Sequence, residues 1–485
     1  MAPADAPARE RTFFGQPRVL ANLFGVELWE RFSFYGMQGI LLIYLYYSAA
    51  RGGLGIDETT ATSIVGAYGG FVYLSTIGGA WLADRIVGSE RVLFGSAVLV
   101  MIGHVCLALV PGLTGVGLGL VSIALGSGGV KANATSLVGS LYDERNPRRD
   151  AGFSLFYLGV NVGAFAGPLL TGLLQQQLGF HYGFALAALG MGLGLAQYAR
   201  GRKRLPKQAN EVPHPLPRTR LPLVAGIVAA VAALVAVLAV SGVLAPSRLA
   251  AIVVVLSAAA AVAYFAVILT GRAVDRVERD RVLAFIPLFV ASAGFWSLYQ
   301  QQFTVLTVYA DKRLNRDLFG WQMPVSWVQS INPVFIIVLS GVFAALWTRL
   351  GDRQPSTPVK FAAGTVIMGV AFLLFLPMAG TGRGGAPLPG LVGVIFVLTI
   401  AELLLSPVGL SLSTKLAPGA FHTQMVALFF LSVALGTAAA GALAAQYDPA
   451  HEIPYFSVLG LAAILLGAVI AALTPLIRRL MHGVR

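Results

Sequence analysis

The chain has 485 residues, of which 57% are apolar and only 11% charged, with a mean hydropathy of +0.77, against about 25% charged in an ordinary soluble domain. That balance excludes a soluble enzyme, a nucleic-acid-binding domain and a disulfide scaffold, and points to an all-α polytopic membrane protein. The excess of 34 Lys and Arg over 21 Asp and Glu would suggest a polyanion partner in a soluble protein, but in a polytopic one it reports cytoplasmic loops.

The amino-terminal MAPADAPARERTFFGQPR is polar and basic, without the apolar stretch and small-residue site of a cleavable signal peptide, so the first helix is expected to be the insertion signal. Apolar runs able to cross a hydrocarbon core of ~30 Å predict spans over 20–47, 60–84, 91–110, 114–141, 151–177 and 181–200. The basic, proline-containing RGRKRLPKQANEVPHPLPRTR closes this set. Two spans made almost only of Ala, Val, Leu and Ile follow at 221–244 and 247–270, then six more at 282–310, 320–348, 359–379, 388–416, 421–447 and 454–477. The single cysteine, Cys106, lies in an apolar run and is read as packing.

Fourteen spans return both termini to one side. With the amino terminus in the cytoplasm, the inner connections hold 26 of the 34 basic residues, among them Arg145, Arg148 and Arg149, and the outer loops hold six: Arg51, Arg248, Lys312, Arg313, Arg316 and Arg383. This asymmetry predicts a multi-pass protein of the cell inner (plasma) membrane with both termini cytoplasmic. The chain also repeats itself. The second span of each six-helix set closes on an Asp-Arg pair, GGAWLADR at Asp84 and Arg85 and LWTRLGDR at Asp352 and Arg353. The organisation expected is therefore a major facilitator fold of two six-helix bundles, 1–201 and 281–485, with a basic linker and two extra central helices at 202–280.

Ionisable residues inside a membrane cost at least ~2.5 kcal/mol each, so those retained must pair or line a wet cavity. Five stand well inside predicted spans rather than at their ends: Glu27, Glu30, Arg31, Lys131 and Glu402. The first three share one helix face by their i, i+3, i+4 spacing, with Tyr35 a turn further on. Lys131 lies among small residues in GSGGVKANATSLVG, and Glu402 in AELLLSPVGLS, where Pro407 is expected to break the helix below it. A cation in one half and an anion in the other, facing across the midplane, would leave room for a dipolar ligand.

These residues carry a family resemblance. ELWERFSFYG resembles the Glu-x-x-Glu-Arg-Phe signature of the first helix of proton-coupled oligopeptide transporters, and FYLGVNVGA, GGAWLADRIVG, SINPVFIIVLSGVFAALWTRLGDRQPS and AELLLSPVGLS resemble further helices of that family, in order, over about residues 18–480. The resemblance implies import of di- and tripeptides with protons. It implies that Arg31, Lys131 and Tyr35 meet the peptide carboxylate, that Glu402, Asn161 and Asn332 meet its amine, and that Tyr68, Trp296 and Phe429 line side-chain pockets. Glu27, Glu30, Arg31 and Glu402 would then handle protons.

The chain departs from the family pattern at Phe34, where a tyrosine is common, at Gln38, where a basic residue often stands, and at Gln300, where an acidic one does. The second-helix histidine of animal members is also absent. If Gln38 and Gln300 face each other as a gate, their amides can bond but neither titrates.

The expected mechanism is proton-driven symport by alternating access, without cofactor or metal, by a monomer in the bilayer. The alternative within transport is a proton-coupled carrier of nitrate or another small organic anion, which the midplane carboxylate of Glu402 disfavours. An intramembrane enzyme would need a nucleophile and base in reach, and His104 and Cys106, at i and i+2, point to different sides of a helix. A channel would need a repeated polar ring, whereas these charges are few and asymmetric.

Overall fold

The computed structural model describes residues 12–142, 146 and 148–484. The first eleven residues read above for targeting, Arg145, and the side chain of Asp352 lie outside that description. Helices dominate: α1 (Arg18–Tyr46), α2 (Glu58–Leu82), α3 (Ser89–Leu109), α4 (Gly112–Gly139), α5 (Arg149–Leu178) and α6 (Phe180–Gly201) form one group. α7 (Leu221–Val240) and α8 (Leu249–Thr270) follow, then α9 (Arg276–Tyr299), α10 (Val305–Lys312), α11 (Ile331–Leu350), α12 (Thr357–Leu373), α13 (Leu388–Lys415), α14 (His422–Ala444) and α15 (Glu452–Leu480). Because α9 and α10 lie end to end, the fourteen expected spans are all present as helical segments, and among the described residues eleven are long and apolar enough by composition to cross a membrane. α1 is not among those eleven; it carries Glu27, Glu30 and Arg31.

Local chemistry explains several boundaries. Asp57 caps α2, its carboxylate accepting from the Thr60 backbone at 2.9 Å. Hydrogen bonds from Thr60 and Thr59 hold that carboxyl below the usual range, because they favour its charged form. Three expectations need correction. The span 282–310 is not one helix: a 3₁₀ turn at Gln300–Phe303 and Thr304 at φ −122°, ψ −88° separate α9 from α10. The span 320–348 begins with a two-residue hairpin (β1, Asp317–Leu318; β2, Trp321–Gln322) and a 3₁₀ segment, Val325–Ser330, before α11. Pro407 does not break its helix, since α13 runs through it to Lys415; an interior proline removes one ladder bond, and the rest of the ladder carries the helix on.

α1 packs against α5 and α6, α3 against α4 and α6, and α2 against α4; α12 packs against α13 and α15, and α9 against α14 and α15. The two groups meet chiefly where α2 lies on α14. There the backbones touch, and a Cβ built on Gly66 would stand 2.4 Å from Gly441 Cα. α8 lies against α2 and α14, whereas α7 buries none of its residues. An all-apolar helix with no buried residue is suited to lipid.

Candidate functional site

α1 holds Glu27, Glu30 and Arg31 almost fully buried, at 4%, 0% and 3% exposure. One turn of helix sets the geometry: Arg31 Nε donates to Glu27 Oε1 at 2.8 Å and lies 3.0 Å from Glu30 Oε2. Ser127 on α4 donates to the other Glu30 oxygen, Oε1, at 2.8 Å. The far nitrogen of the fork, Arg31 Nη2, is buried without a partner. The guanidinium is thus held at its near end and free at its outer end.

Lys131, one turn beyond Ser127 on α4, places its ammonium 4.0 Å over the ring of Tyr73 on α2. The Tyr73 hydroxyl lies near the side chain of Gln300 of the other helix group. On that far side Asn332 Nδ2 donates to Glu402 Oε2 at 3.1 Å and to Thr399 Oγ1 at 3.0 Å, while the Tyr299 hydroxyl donates to Asn332 Oδ1 at 3.3 Å. Tyr35 stacks on Phe303, with ring centroids 6.0 Å apart, and lies within electrostatic range of both Arg31 and Glu402. Two charged groups therefore flank a wall of tyrosines. Among the described residues neither Lys131 nor Glu402 makes an ion pair, so the two are separated charges rather than a salt bridge.

The other expected residues are placed as follows. Asn161 donates to the Tyr157 carbonyl of its own helix at 2.9 Å, and its amide makes no bond to Glu402. Tyr68 is buried with its hydroxyl unpartnered, stacked on Phe34 at 6.1 Å. Trp296 packs edge-on against Tyr299 at 5.2 Å, its indole nitrogen likewise unpartnered. Phe429 packs on Gly409 of α13. Gln38 is buried with Oε1 unpartnered, and no hydrogen bond joins its amide to that of Gln300, whose side chain lies near the Tyr73 hydroxyl.

Residues that the sequence reading passed over complete the picture. Asp311 on α10 accepts from the Tyr46 hydroxyl at 2.8 Å and the Tyr47 hydroxyl at 2.6 Å, with Arg316 at 3.6 Å and Arg51 at 4.0 Å. Lys312 pairs with Glu58 beside it. Ser326, Trp327 and Ser330 donate to the carbonyls of Pro168, Leu169 and Phe165 on α5 at 2.8, 3.0 and 2.8 Å. Among the described residues, the hydrogen bonds joining residues 18–201 to 276–484 lie at the end bearing the 47–57 and 313–324 loops. Ser127 was legible, standing four residues before Lys131; the Asp311 network was not, because its tyrosines and carboxylate are 264 residues apart.

Two helix bundles closed at one end, with half-buried charges that make no ion pair on their facing walls, define a membrane transporter rather than an enzyme. The chain belongs to the POT family, whose PTR2 model matches residues 90–459. It is 41% identical to the uncharacterized transporter YclF of Bacillus subtilis, over 98% of this chain and 97% of that one. It is 38% identical to a di-/tripeptide transporter of Lactococcus lactis subsp. cremoris, over 98% and 99%. Its fold is similar to a crystal structure of a mutant POT peptide transporter in complex with alafosfalin, with a TM-score of 0.93, 44% identity and 98% of each chain covered. The major facilitator organisation expected from the sequence is the fold of these relatives.

Proposed function

We propose that this chain is a proton-driven symporter that imports di- and tripeptides by alternating access. The observation that carries the reading is the separation of Lys131 and the free end of Arg31 from Glu402, with tyrosines between them. A zwitterionic peptide is complementary to those opposite charges: its carboxylate is recognised by the guanidinium fork and the ammonium, and its amine by Glu402 and Asn332. Asn161 joins the amine side if its amide leaves the Tyr157 carbonyl. Tyr68, Trp296 and Phe429 offer aromatic surface, and Gln38 and Gln300 serve as the gate between the bundles. A small-anion carrier is disfavoured, since Glu402 repels an anion unless protonated.

In the proposed cycle the bundles 1–201 and 281–485 rock about the site, with 202–280 as connector. The closed end faces outward and both termini lie in the cytoplasm, in keeping with the basic residues of the linker. Protonating Glu27 or Glu30 loosens its hold on Arg31 Nε, and the fork turns to the peptide carboxylate. One charge moving down the membrane potential supplies ~2.3 kcal/mol per 100 mV, which sustains about a 40-fold gradient at ~1.4 kcal/mol per factor of ten. Counterflow of labelled dialanine in liposomes, with and without a proton gradient, tests this. Uptake that a gradient accelerates supports symport; uptake indifferent to it overturns the coupling.

A further inference from the structure

The segment between α6 and α7 is held against the first bundle along most of its length. Arg202 grips the buried carboxylate of Glu90 with both edges of its fork, Nε at 2.6 Å and Nη2 at 2.8 Å, and its guanidinium lies 3.9 Å over the ring of Phe94. Leu205 and Ala209 are buried. The backbone nitrogens of His214 and Leu216 donate to the carbonyls of Asp84 and Arg85, at 3.0 and 2.8 Å, and His214 Nδ1 lies 2.9 Å from Asp84 Oδ1. Residues 202–216 therefore form a strap across the turn between α2 and α3.

The spare charges of this segment are nearly all of one sign. Residues 200–220 carry seven basic side chains against one acid, Glu211. Arg202 is taken up by Glu90; Arg200, Lys203, Arg204, Lys207, Arg218 and Arg220 are exposed, and among the described residues none of these six makes an ion pair. The helix that follows fixes their depth. The twenty residues of α7 rise about 30 Å, the thickness of a hydrocarbon core. Since none of them is buried, lipid surrounds α7, and Arg218 and Arg220 emerge from it at headgroup level. The Arg202–Glu90 pair holds Arg200, Lys203, Arg204 and Lys207 at the same end of the bundle, where α6 stops and α3 begins.

We propose that this basic strap is a binding surface for the headgroups of anionic phospholipids in the leaflet it borders. A phosphodiester presents the oxygens that a guanidinium fork matches, and juxtamembrane clusters of about four to eight Lys and Arg are drawn to anionic bilayers. The pinned backbone sets the strap apart from an ordinary basic loop, because its cations are presented without ordering a free chain on binding. Lipid is the partner the geometry selects: Arg218 and Arg220 stand where α7 enters the bilayer, so headgroups are already their neighbours. The assignment is independent of what the chain transports.

Binding of phosphatidylglycerol and of zwitterionic phosphatidylcholine to the full chain in neutral detergent micelles, followed by native mass spectrometry, tests the assignment. Each cation near an anionic surface contributes about fivefold to affinity. The unaltered chain should therefore favour phosphatidylglycerol by about tenfold or more, and the preference should shrink as salt rises. Arg218→Gln with Arg220→Gln should lower the affinity for phosphatidylglycerol about 25-fold and leave that for phosphatidylcholine within about twofold. Lys203→Gln with Arg204→Gln and Lys207→Gln should act in the same direction, and carries the test if the first variant fails to insert. Arg276→Gln with Arg279→Gln, at the start of α9 where Asp275, Glu278 and Asp280 stand among the basic residues, should change neither affinity by more than about twofold. No preference for phosphatidylglycerol in the unaltered chain overturns the proposal. So does a preference that survives both strap variants, or one that falls as far in the α9 variant, since that marks attraction to net charge and not to the strap.

Discussion

Lys131 rests on the face of Tyr73, at 4.0 Å from the ring, instead of pairing with a carboxylate. A cation held by an aromatic face gains about 0.5 to 2 kcal/mol and keeps its charge available. The side chain of Gln300 in the opposite bundle lies near the Tyr73 hydroxyl, so the ammonium sits close to the helix break between α9 and α10.

From this follows the first prediction. Lys131→Ala and Glu402→Gln should each abolish proton-driven uptake, since each removes one end of the peptide clamp. Because the two do not pair in the structure, the double variant should be no better than either single one. A double variant that recovers uptake would show that the residues act as a salt bridge.

Arg31→Lys should reduce uptake tenfold or more although the charge is kept. Arg31 uses Nε for Glu27 and Glu30 and leaves Nη2 free. A single ammonium cannot hold both carboxylates and present a second donor edge to a ligand. Uptake within about twofold of the unaltered chain would remove the argument.

Asp311→Ala should open the closed end. Tyr46 and Tyr47 lose their shared acceptor, and each hydroxyl left unsatisfied costs about 1 to 3 kcal/mol. A shift of that size moves the population of open and closed forms by roughly 5-fold to 150-fold. Spin-label distances between Gly52 and Arg383 positions substituted by cysteine, in a chain with Cys106 replaced, should lengthen. An unchanged distance distribution would mean that the bonds to α5 suffice by themselves.

Gln300→Glu should impair transport, because it places a carboxylate beside Tyr73 with no cation paired to it and disturbs the ring that supports Lys131. Adding Gln38→Arg should restore function, as Gln38 is buried with an unused carbonyl oxygen and a guanidinium there could neutralise the new charge. Uptake of the two variants across pH 5 to 8 checks this. A single variant that matches the double would sink it.

Gly66→Val should uncouple the bundles where α2 crosses α14. Even a Cβ at this position would stand 2.4 Å from Gly441 Cα, and backbone cannot turn aside as a flexible side chain can. Lower thermal stability and slower uptake are expected together. Full uptake at unchanged stability would show that the crossing can widen at no cost.

The class of protein, the fourteen helical segments and the charged face of α1 were legible in the sequence, because each depends on short-range periodicity and composition. An i, i+3, i+4 spacing brings Glu27, Glu30 and Arg31 together in any helix that contains them. The chain could not show by itself where one bundle meets the other. The place of Gln300 near Tyr73, the attachment of Asn161 to its own helix and the gathering of Tyr46, Tyr47 and Asp311 are products of packing. They are set by how closely α2 lies on α14 and by the break after Tyr299, and no local pattern encodes the relative placement of side chains separated by hundreds of residues. Sequence determined which charges enter the membrane; the tertiary structure decided which of them stay unpaired, since only the distance across the bundle interface separates a salt bridge from two open ends of a binding site.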